Sequence, residues 1–327
     1  MKLGRIILSA VLAASCIFGT AGCSGSPKSS VGNVEELTFV DGDKIAEITI
    51  EGYGTVKAKL FPDLAPKGVE NFIMLAEQGY YDGLKIHRVL SDMLFQGGSL
   101  NGDGTGGKAL INEGGVFDIE TSAQARHFYG ALCYANDYGD NSTQFYVVNA
   151  KAPQDITKID TAKLTAAAAT NTELKASATE GTDEYRQAGF KEKHYTNLAA
   201  MLTEVDEKVT AKYAEAGGYP MLDGGYTVFG QVYDGFDVID AISTAEVTLN
   251  AAGEKSKPVT DIIISSVKIV TYKAPTTGEA SDEAESSKDS SAAEESGADD
   301  SSDVLDTIEA NEDDTTPENG NDAESAA

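Results

Sequence analysis

The sequence has no tryptophan, and only three cysteines and three histidines among 327 residues. So few cysteines argue against a disulfide-stapled fold. His87, His127 and His194 lack the spacing of metal ligands, and we expect no metal ion and no cofactor. Basic residues are also scarce, with 25 Lys and Arg against 53 Asp and Glu. Such a chain has no basic stripe to neutralise phosphates, which argues against nucleic acid as a partner.

Long hydrophobic runs are missing too. The apolar run Ile6–Phe18 is too short to span a bilayer, follows two basic residues and precedes Cys23. This segment resembles a bacterial lipoprotein signal, which is cut before a cysteine that then carries the lipid. The resemblance implies a signal peptide over residues 1–22, lipid attachment at Cys23, a flexible tether over 23–40 and an anchor on the extracytoplasmic face of the cell membrane. The alternative is an ordinary secretory signal with an incidental cysteine.

The end of the chain is strongly acidic. Residues 274–327 contain 18 Asp and Glu and one Lys. Large apolar side chains are too rare in this segment for buried surface to offset the entropy lost on ordering. We therefore expect an acidic tail that is disordered.

Hydrophobic periodicity assigns the folded part of the chain to about residues 41–273. Apolar and polar residues alternate over 46–50 and again over 56–60, which predicts two half-buried strands in a hairpin. Pro66 opens a predicted helix that ends near Gly79. Further strands are predicted at 130–135, 144–148, 227–232 and 262–270, and a second helix around 236–242. Many short strands with few helices favour a mainly β fold, a closed β-barrel.

Seven short motifs occur in a fixed order along this part of the chain. They are His87-Arg88-Val89, Met93 to Gly98, Gly104 to Gly107, Ala135-Asn136, Gln144-Phe145-Tyr146, Leu222-Asp223-Gly224 and Val228-Phe229-Gly230. In this order they resemble the motifs of the cyclophilins over roughly residues 45–272. The resemblance implies a peptidyl-prolyl cis/trans isomerase built on a closed eight-stranded antiparallel β-barrel capped by two helices.

The resemblance also implies the roles of single residues. Arg88 corresponds to the catalytic arginine of the family, and Gln96 to the glutamine that orients this arginine and contacts the substrate. The residues implied to bind the substrate are Met93, Leu94, Ala135, Asn136, Gln144, Tyr146, Met221, Leu222 and Tyr226. Four of them depart from the family's usual residues: Met93 and Tyr146 replace Phe, Met221 replaces Trp and Tyr226 replaces His. These departures concern the shape of the pocket more than the reaction.

One insertion interrupts the resemblance. Residues at about 151–217 stand where the family has a short loop. Within them the apolar residues that repeat at helical spacing are Leu198, Met201, Leu202, Val205 and Val209, whereas 162–181 is rich in Ala and Thr with little periodicity. We expect at least one amphipathic helix packed on the barrel near the substrate groove. The insertion either shapes substrate access or is a solvated addition.

The chemistry of an X-Pro bond explains why an arginine beside apolar residues suits this reaction. Resonance keeps the amide planar, with a rotation barrier of about 20 kcal/mol. In the twisted transition state the prolyl nitrogen regains a lone pair, which a fixed guanidinium can hydrogen-bond there but not in the planar ground state. An apolar pocket strengthens this bond by lowering the local dielectric constant. The implied partners are proline-containing polypeptides outside the cytoplasm, bound by a monomer.

Two side chains that could carry other chemistry have simpler explanations. Isomerisation needs no proton transfer, so we expect His87 to be a packed neighbour of Arg88 rather than an acid or base. Cys133 lies in an apolar run, and we expect a small buried side chain rather than a nucleophile. The alternative function is a peptide-binding or chaperone module that keeps the barrel but has lost useful turnover through Met93, Met221 and Tyr226.

Overall fold

The structure, a computed structural model, describes residues 29–274. The expected signal peptide, Cys23 and all but the first residue of the acidic tail lie outside this range. Within it the strands are β1 Lys44–Ile50, β2 Gly54–Leu60, β3 Lys85–Leu90, β4 Leu94–Gly97, β5 Phe117–Asp118, β6 Ala131–Asp137, β7 Asp140–Val148, β8 Val228–Asp234, β9 Val247–Leu249, β10 Lys255–Pro258 and β11 Ile262–Thr271. The helices are α1 Pro66–Glu77, α2 Thr161–Ser177, α3 Asp183–Thr203, α4 Glu207–Ala216 and α5 Phe236–Ser243. None of these helices is both long and apolar enough to cross a membrane.

The main sheet closes on itself. Eight strands pair in the order β4, β3, β11, β1, β2, β8, β6, β7, and β7 pairs with β4 to complete the ring. These pairings are antiparallel. The short β5 adds to β7, while β9 and β10 form a separate hairpin. The predicted closed eight-stranded antiparallel barrel is therefore confirmed.

Two helices cap the barrel, as predicted. Helix α1 packs against β11 and β7, and α5 packs against β2, β3 and β4. Phe72 of α1 enters the core, where its ring centroid lies 5.7 Å from that of Phe145 and 5.0 Å from that of Phe229. The chain leaves α1 through Gly79, whose φ of +67° favours glycine. In β1, Ala46 and Ile48 are buried and Glu47 between them is not, as a period of two requires.

The segment 29–40 lies against the barrel, which corrects the expected flexible tether over that range. Asn33 is fully buried, and its Nδ2 donates to the carbonyl of Arg126 and to Gln231 Oε1, both at 2.8 Å. Lys59 is buried as well, and its Nζ donates to Thr38 O at 2.6 Å. Because buried polar groups need partners, these two side chains fix the segment in place.

The insertion contains three helices, α2, α3 and α4. The periodic apolar run over residues 198–209, for which we expect at least one helix, extends from α3 into α4. It is broken at Glu204–Asp206, where the Asp206 side chain accepts from Lys208 N at 2.8 Å and so caps α4. The Ala- and Thr-rich stretch, which showed little periodicity, forms α2. Alanine has the highest helix propensity, and α2 buries only Leu164, Ala168 and Asn171, so its sequence carries a weak apolar stripe.

Candidate active site

Three of the predicted site residues form one hydrogen-bonded row. Arg88 on β3 is the cross-strand partner of Gln96 on β4, so the two side chains leave the same face of the sheet. Arg88 Nη1 donates to Gln96 Oε1 at 3.3 Å, and Gln96 Nε2 donates to Gln144 Oε1 at 2.9 Å. The row ends at the glycine-rich loop, where Gln144 Nε2 donates to the Gly104 carbonyl at 2.7 Å. The Gln96 oxygen is thereby turned towards the guanidinium.

The shortest contacts of Arg88 are with Glu254, a residue that no sequence motif indicated. Arg88 Nε and Nη2 donate to the two carboxylate oxygens of Glu254 at 2.8 and 2.7 Å. Both side chains are shielded, with 17% and 16% of their surface exposed. A guanidinium has five N–H donors, and these bonds and the one to Gln96 use three of them. One N–H on Nη1 and one on Nη2 remain for a substrate.

An apolar cluster lies on the same face of the barrel as Arg88. Gln96 is the cross-strand partner of Tyr146 on β7, which extends the row of partners from Arg88 into this cluster. The predicted substrate-binding residues that it contains are Met93, Leu94, Tyr146 and Leu222, with Ala135 and Tyr226 packed against them. Leu94, Tyr146 and Leu222 are each at most 4% exposed. The cluster supplies compact apolar surroundings beside the arginine.

Met221 lies elsewhere than the family resemblance implied. It is 2% exposed and packs in a separate cluster with Leu164 of α2 and Leu198 of α3. The physical reason is the insertion, whose helices offer Met221 an apolar core of their own. Met221 thus packs with the helices of the insertion rather than in the cluster that contains Leu94 and Tyr146.

Asn136 uses its side chain to hold two loops at the edge of the site. Its Nδ2 donates to the Gly225 carbonyl at 3.2 Å, and its Oδ1 accepts from Gly139 N at 3.0 Å. The residue lies at an irregularity in the pairing of β6 with β7. Both side-chain groups are thus engaged within the protein, so a bound peptide would pair with the backbone of Asn136 rather than with its amide.

The family follows from a comparison of the whole chain. A family model described as cyclophilin type peptidyl-prolyl cis-trans isomerase/CLD matches residues 45–269, which include the barrel and its insertion. This chain belongs to the cyclophilin family. The predicted family and the predicted isomerase class are confirmed.

Two bacterial relatives agree with this assignment. A protein of Staphylococcus aureus (strain COL), whose name assigns it to the peptidyl-prolyl cis-trans isomerases, is 33% identical over 220 residues, which are 66% of this cyclophilin and 87% of the relative. A Staphylococcus saprophyticus protein of the same name is 32% identical over 235 residues, 71% of this chain and 95% of the relative. The crystal structure of a Cryptosporidium parvum cyclophilin type isomerase has a TM-score of 0.45 and 20% identity, and covers 71% of this chain and 99% of its own.

Behind the apolar cluster of this cyclophilin lies a buried polar network centred on Asp223. Its Oδ1 accepts from His127 Nδ1 at 2.8 Å, and its Oδ2 accepts from Arg126 Nη1 at 3.2 Å and the Tyr213 hydroxyl at 2.8 Å. Burial alone would raise the pKa of Asp223, but the hydrogen bonds from His127 and the charge of Arg126 hold it below 3.8. His127 Nε2 lies 3.0 Å from the Tyr146 hydroxyl, within hydrogen-bond distance. This cyclophilin can therefore hold Tyr146 where the family usually has Phe, because the hydroxyl has a buried partner.

The insertion reaches the site through α3. The ring centroids of Phe190 and His194 lie 5.7 and 5.8 Å from that of Tyr226, both in edge-on contacts. Asn197 Nδ2 donates to the Gly224 carbonyl at 2.9 Å, which ties α3 to the loop before Tyr226. Burial and a neighbouring histidine lower the pKa of His194 to about 4, so its ring adds no charge here at neutral pH. Helix α3 thus backs one wall of the cyclophilin site.

Neither His87 nor Cys133 is suited to acid-base or nucleophilic chemistry at neutral pH. Burial and the Arg88 cation lower the pKa of His87 from 6.5 to about 4, so the imidazole is neutral. Cys133 is fully buried, and burial raises the pKa of its thiol well above 9.0. A thiolate is the nucleophilic form of cysteine, and this thiol stays protonated.

Proposed function

We propose that this cyclophilin speeds the rotation of X-Pro peptide bonds in extracytoplasmic proteins and so assists their folding. One observation carries the proposal: Arg88, Gln96 and Tyr146 are successive cross-strand partners on β3, β4 and β7. This register supports a site in which two free guanidinium donors face an apolar surface that can take a proline ring.

The proposed mechanism breaks no bond. The proline ring rests on the cluster that contains Leu94 and Tyr146, and the free N–H groups of Arg88 face the prolyl nitrogen. As the amide twists, the nitrogen lone pair reappears and accepts a hydrogen bond from the guanidinium, which lowers the energy of the twisted state relative to the planar one. Gln96 keeps the guanidinium in register with the ring.

A protease-coupled assay on a short X-Pro peptide tests the proposal, and its pH profile tests the mechanism. Between pH 5.5 and 9 we expect kcat/KM to change by less than about twofold. A guanidinium group is a cation at every pH in this range. His87 stays neutral because its pKa is about 4. Burial would raise the pKa of Glu254, but hydrogen bonds and the charge of Arg88 lower it from 4.5. The ion pair is therefore present over the whole range from pH 5.5 to 9 and is lost only when the pH falls through this lowered pKa. A tenfold change between pH 5.5 and 9 would contradict the mechanism.

A peptide-binding module with little turnover is the second candidate. It is favoured by two departures from the family's usual residues, Met93 within the apolar cluster and Tyr226 packed against it. The same assay separates the two: binding of an X-Pro peptide without acceleration of its isomerisation would support the module and reject the isomerase.

We also propose that the insertion shapes substrate access. The contacts of Phe190 and His194 with Tyr226 support this role, because Tyr226 lies at the edge of the apolar cluster. A solvated addition would have no reason to contact that residue.

The proposed location is the outer face of the cell membrane, with a lipid on Cys23. Only residues 24–28 separate this cysteine from the segment that packs on the barrel, which begins at residue 29, so the chain takes six steps to reach it. Six extended residues reach about 20 Å, so the anchor would hold the barrel close to the lipid surface. A site so placed would meet polypeptides as they emerge from the membrane.

The anchor predicts a difference between two cysteine variants. When the full chain is expressed in a bacterium and extracted with Triton X-114, wild type should enter the detergent phase and Cys23→Ala should stay in the aqueous phase. Cys133→Ala is the matched control and should behave as wild type, because the Cys133 side chain is buried. Equal partitioning of wild type and Cys23→Ala would reject the anchor and favour an ordinary secretory signal.

A further inference from the structure

The hairpin formed by β9 and β10 lies outside the barrel and carries Glu254 at its turn. The turn is tightly bonded: Asn250 N donates to the Glu254 carbonyl, and Glu254 N donates to Asn250 Oδ1, both at 2.8 Å. Gly253 permits the turn with a φ of +90°. Ser256 follows on β10, is fully buried, and hydrogen-bonds the Glu254 carboxylate. The hairpin therefore fixes the backbone of Glu254 and offers its carboxylate a partner besides Arg88.

The hairpin also lies where it can act on the site. Strand β10 packs against β3, the strand that carries Arg88. Two parallel N–H to oxygen bonds at 2.8 and 2.7 Å fix both the position and the plane of the Arg88 guanidinium. The single bond to Gln96, at 3.3 Å, leaves the plane free to turn about that bond. Of the two partners, Glu254 sets the orientation of Arg88.

We infer that Glu254 is a positioning residue for the isomerase reaction, which it serves by holding the Arg88 guanidinium with one N–H on Nη1 and one on Nη2 free. The inference rests on the proposed catalytic role of Arg88. An arginine side chain has several rotatable bonds, and without its two hydrogen bonds to Glu254 it must be ordered again in each turnover. With these bonds the side chain is already ordered before the substrate arrives. Glu254 itself does not touch the substrate.

A double-mutant cycle tests this role. Glu254→Ala should lower kcat/KM for a short X-Pro peptide about 5- to 10-fold in the wild-type background and less than about twofold in the Arg88→Ala background. The loss should fall on kcat, measured by NMR exchange over a range of peptide concentrations, since the planar ground state does not use the hydrogen bond. Glu254→Asp keeps the charge and should recover part of the rate. Glu254→Gln should not recover the rate, because its side chain has only one acceptor oxygen and cannot form both hydrogen bonds with Arg88.

The matched control is Glu246→Ala, which removes an exposed carboxylate next to the same hairpin and should leave kcat/KM within about twofold of wild type. Urea unfolding of each variant shows whether the fold is retained. An active Glu254→Ala beside an impaired Arg88→Ala overturns the positioning role alone. An equal loss from Glu254→Ala in both backgrounds also overturns it, because the hairpin would then act apart from Arg88. An Arg88→Ala protein as fast as wild type overturns the catalytic role of Arg88, and the positioning role with it.

Discussion

Arg88→Ala is expected to lower kcat/KM for an X-Pro peptide about 100- to 1,000-fold while the barrel stays folded. This is the loss that follows the removal of one well-placed transition-state donor, about 2.7 to 4 kcal/mol. It should appear in kcat rather than in KM, because the guanidinium hydrogen bond forms only with the twisted amide. Folding should survive because Arg88 does not belong to the main core, and the Glu254 side chain, which is 16% exposed, keeps some contact with water once the cation is gone. The protease-coupled assay gives the rate and circular dichroism gives the fold.

Two further variants make the Arg88 result specific. Arg88→Lys should recover only part of the rate, since an ammonium cannot span both oxygens of Glu254 and still face Gln96. Lys57→Ala is the matched control: it removes a cation whose side chain is 39% exposed and paired with Asp234, and it should leave the rate within about twofold of wild type. If Arg88→Ala is folded and as fast as wild type, the arginine is not catalytic and the peptide-binding module becomes the better hypothesis.

The barrel could be predicted because the signal for each strand is local. Alternation over residues 46–50 and 56–60 matches β1 and β2, which pair as predicted. Pro66 and Gly79 bracket α1 because proline suits a first helical turn and glycine suits a positive φ. Short motifs also located Arg88, Gln96 and Gln144, which the register and hydrogen bonds of three strands bring together. Local sequence patterns predict these elements because each element depends on residues that are close together in the chain.

Other features depend on residues that are distant in sequence, and no local pattern indicated them. Glu254 is 166 positions from Arg88 and looks like any surface glutamate in its own stretch of sequence. Met221 fits the family motif, yet the insertion supplies a competing core that buries it. The Ser-rich stretch over residues 24–30 suggested a tether that continues to residue 40, but composition does not reveal that buried Asn33 and Lys59 need polar partners there. In each case a polar or apolar partner elsewhere in the chain overrides the local sequence.

Asp223→Ala should have the largest effect on stability, lowering the free energy of unfolding by about 3 to 5 kcal/mol. The carboxylate is 1% exposed and satisfies the guanidinium of Arg126, which is 3% exposed, together with His127 and Tyr213. Its removal leaves a buried cation without a counter-charge and buried donors without acceptors, which costs far more than the packing of a small side chain. Urea unfolding, compared at constant m-value, measures the change.

An exposed ion pair provides the control for this effect. Asp234→Ala also deletes a carboxylate that pairs with a cation, Lys57, at 3.0 Å, but the Asp234 side chain is 55% exposed and the change should stay within about 1 kcal/mol. Asp223→Asn keeps the volume of the side chain but turns one acceptor into a donor that faces Arg126 or His127, so it should also destabilise the protein strongly. A loss below about 1 kcal/mol in Asp223→Ala would mean that water enters and solvates Arg126. His127 would then keep its position without the Asp223 carboxylate, and the Tyr146 hydroxyl would keep its buried partner.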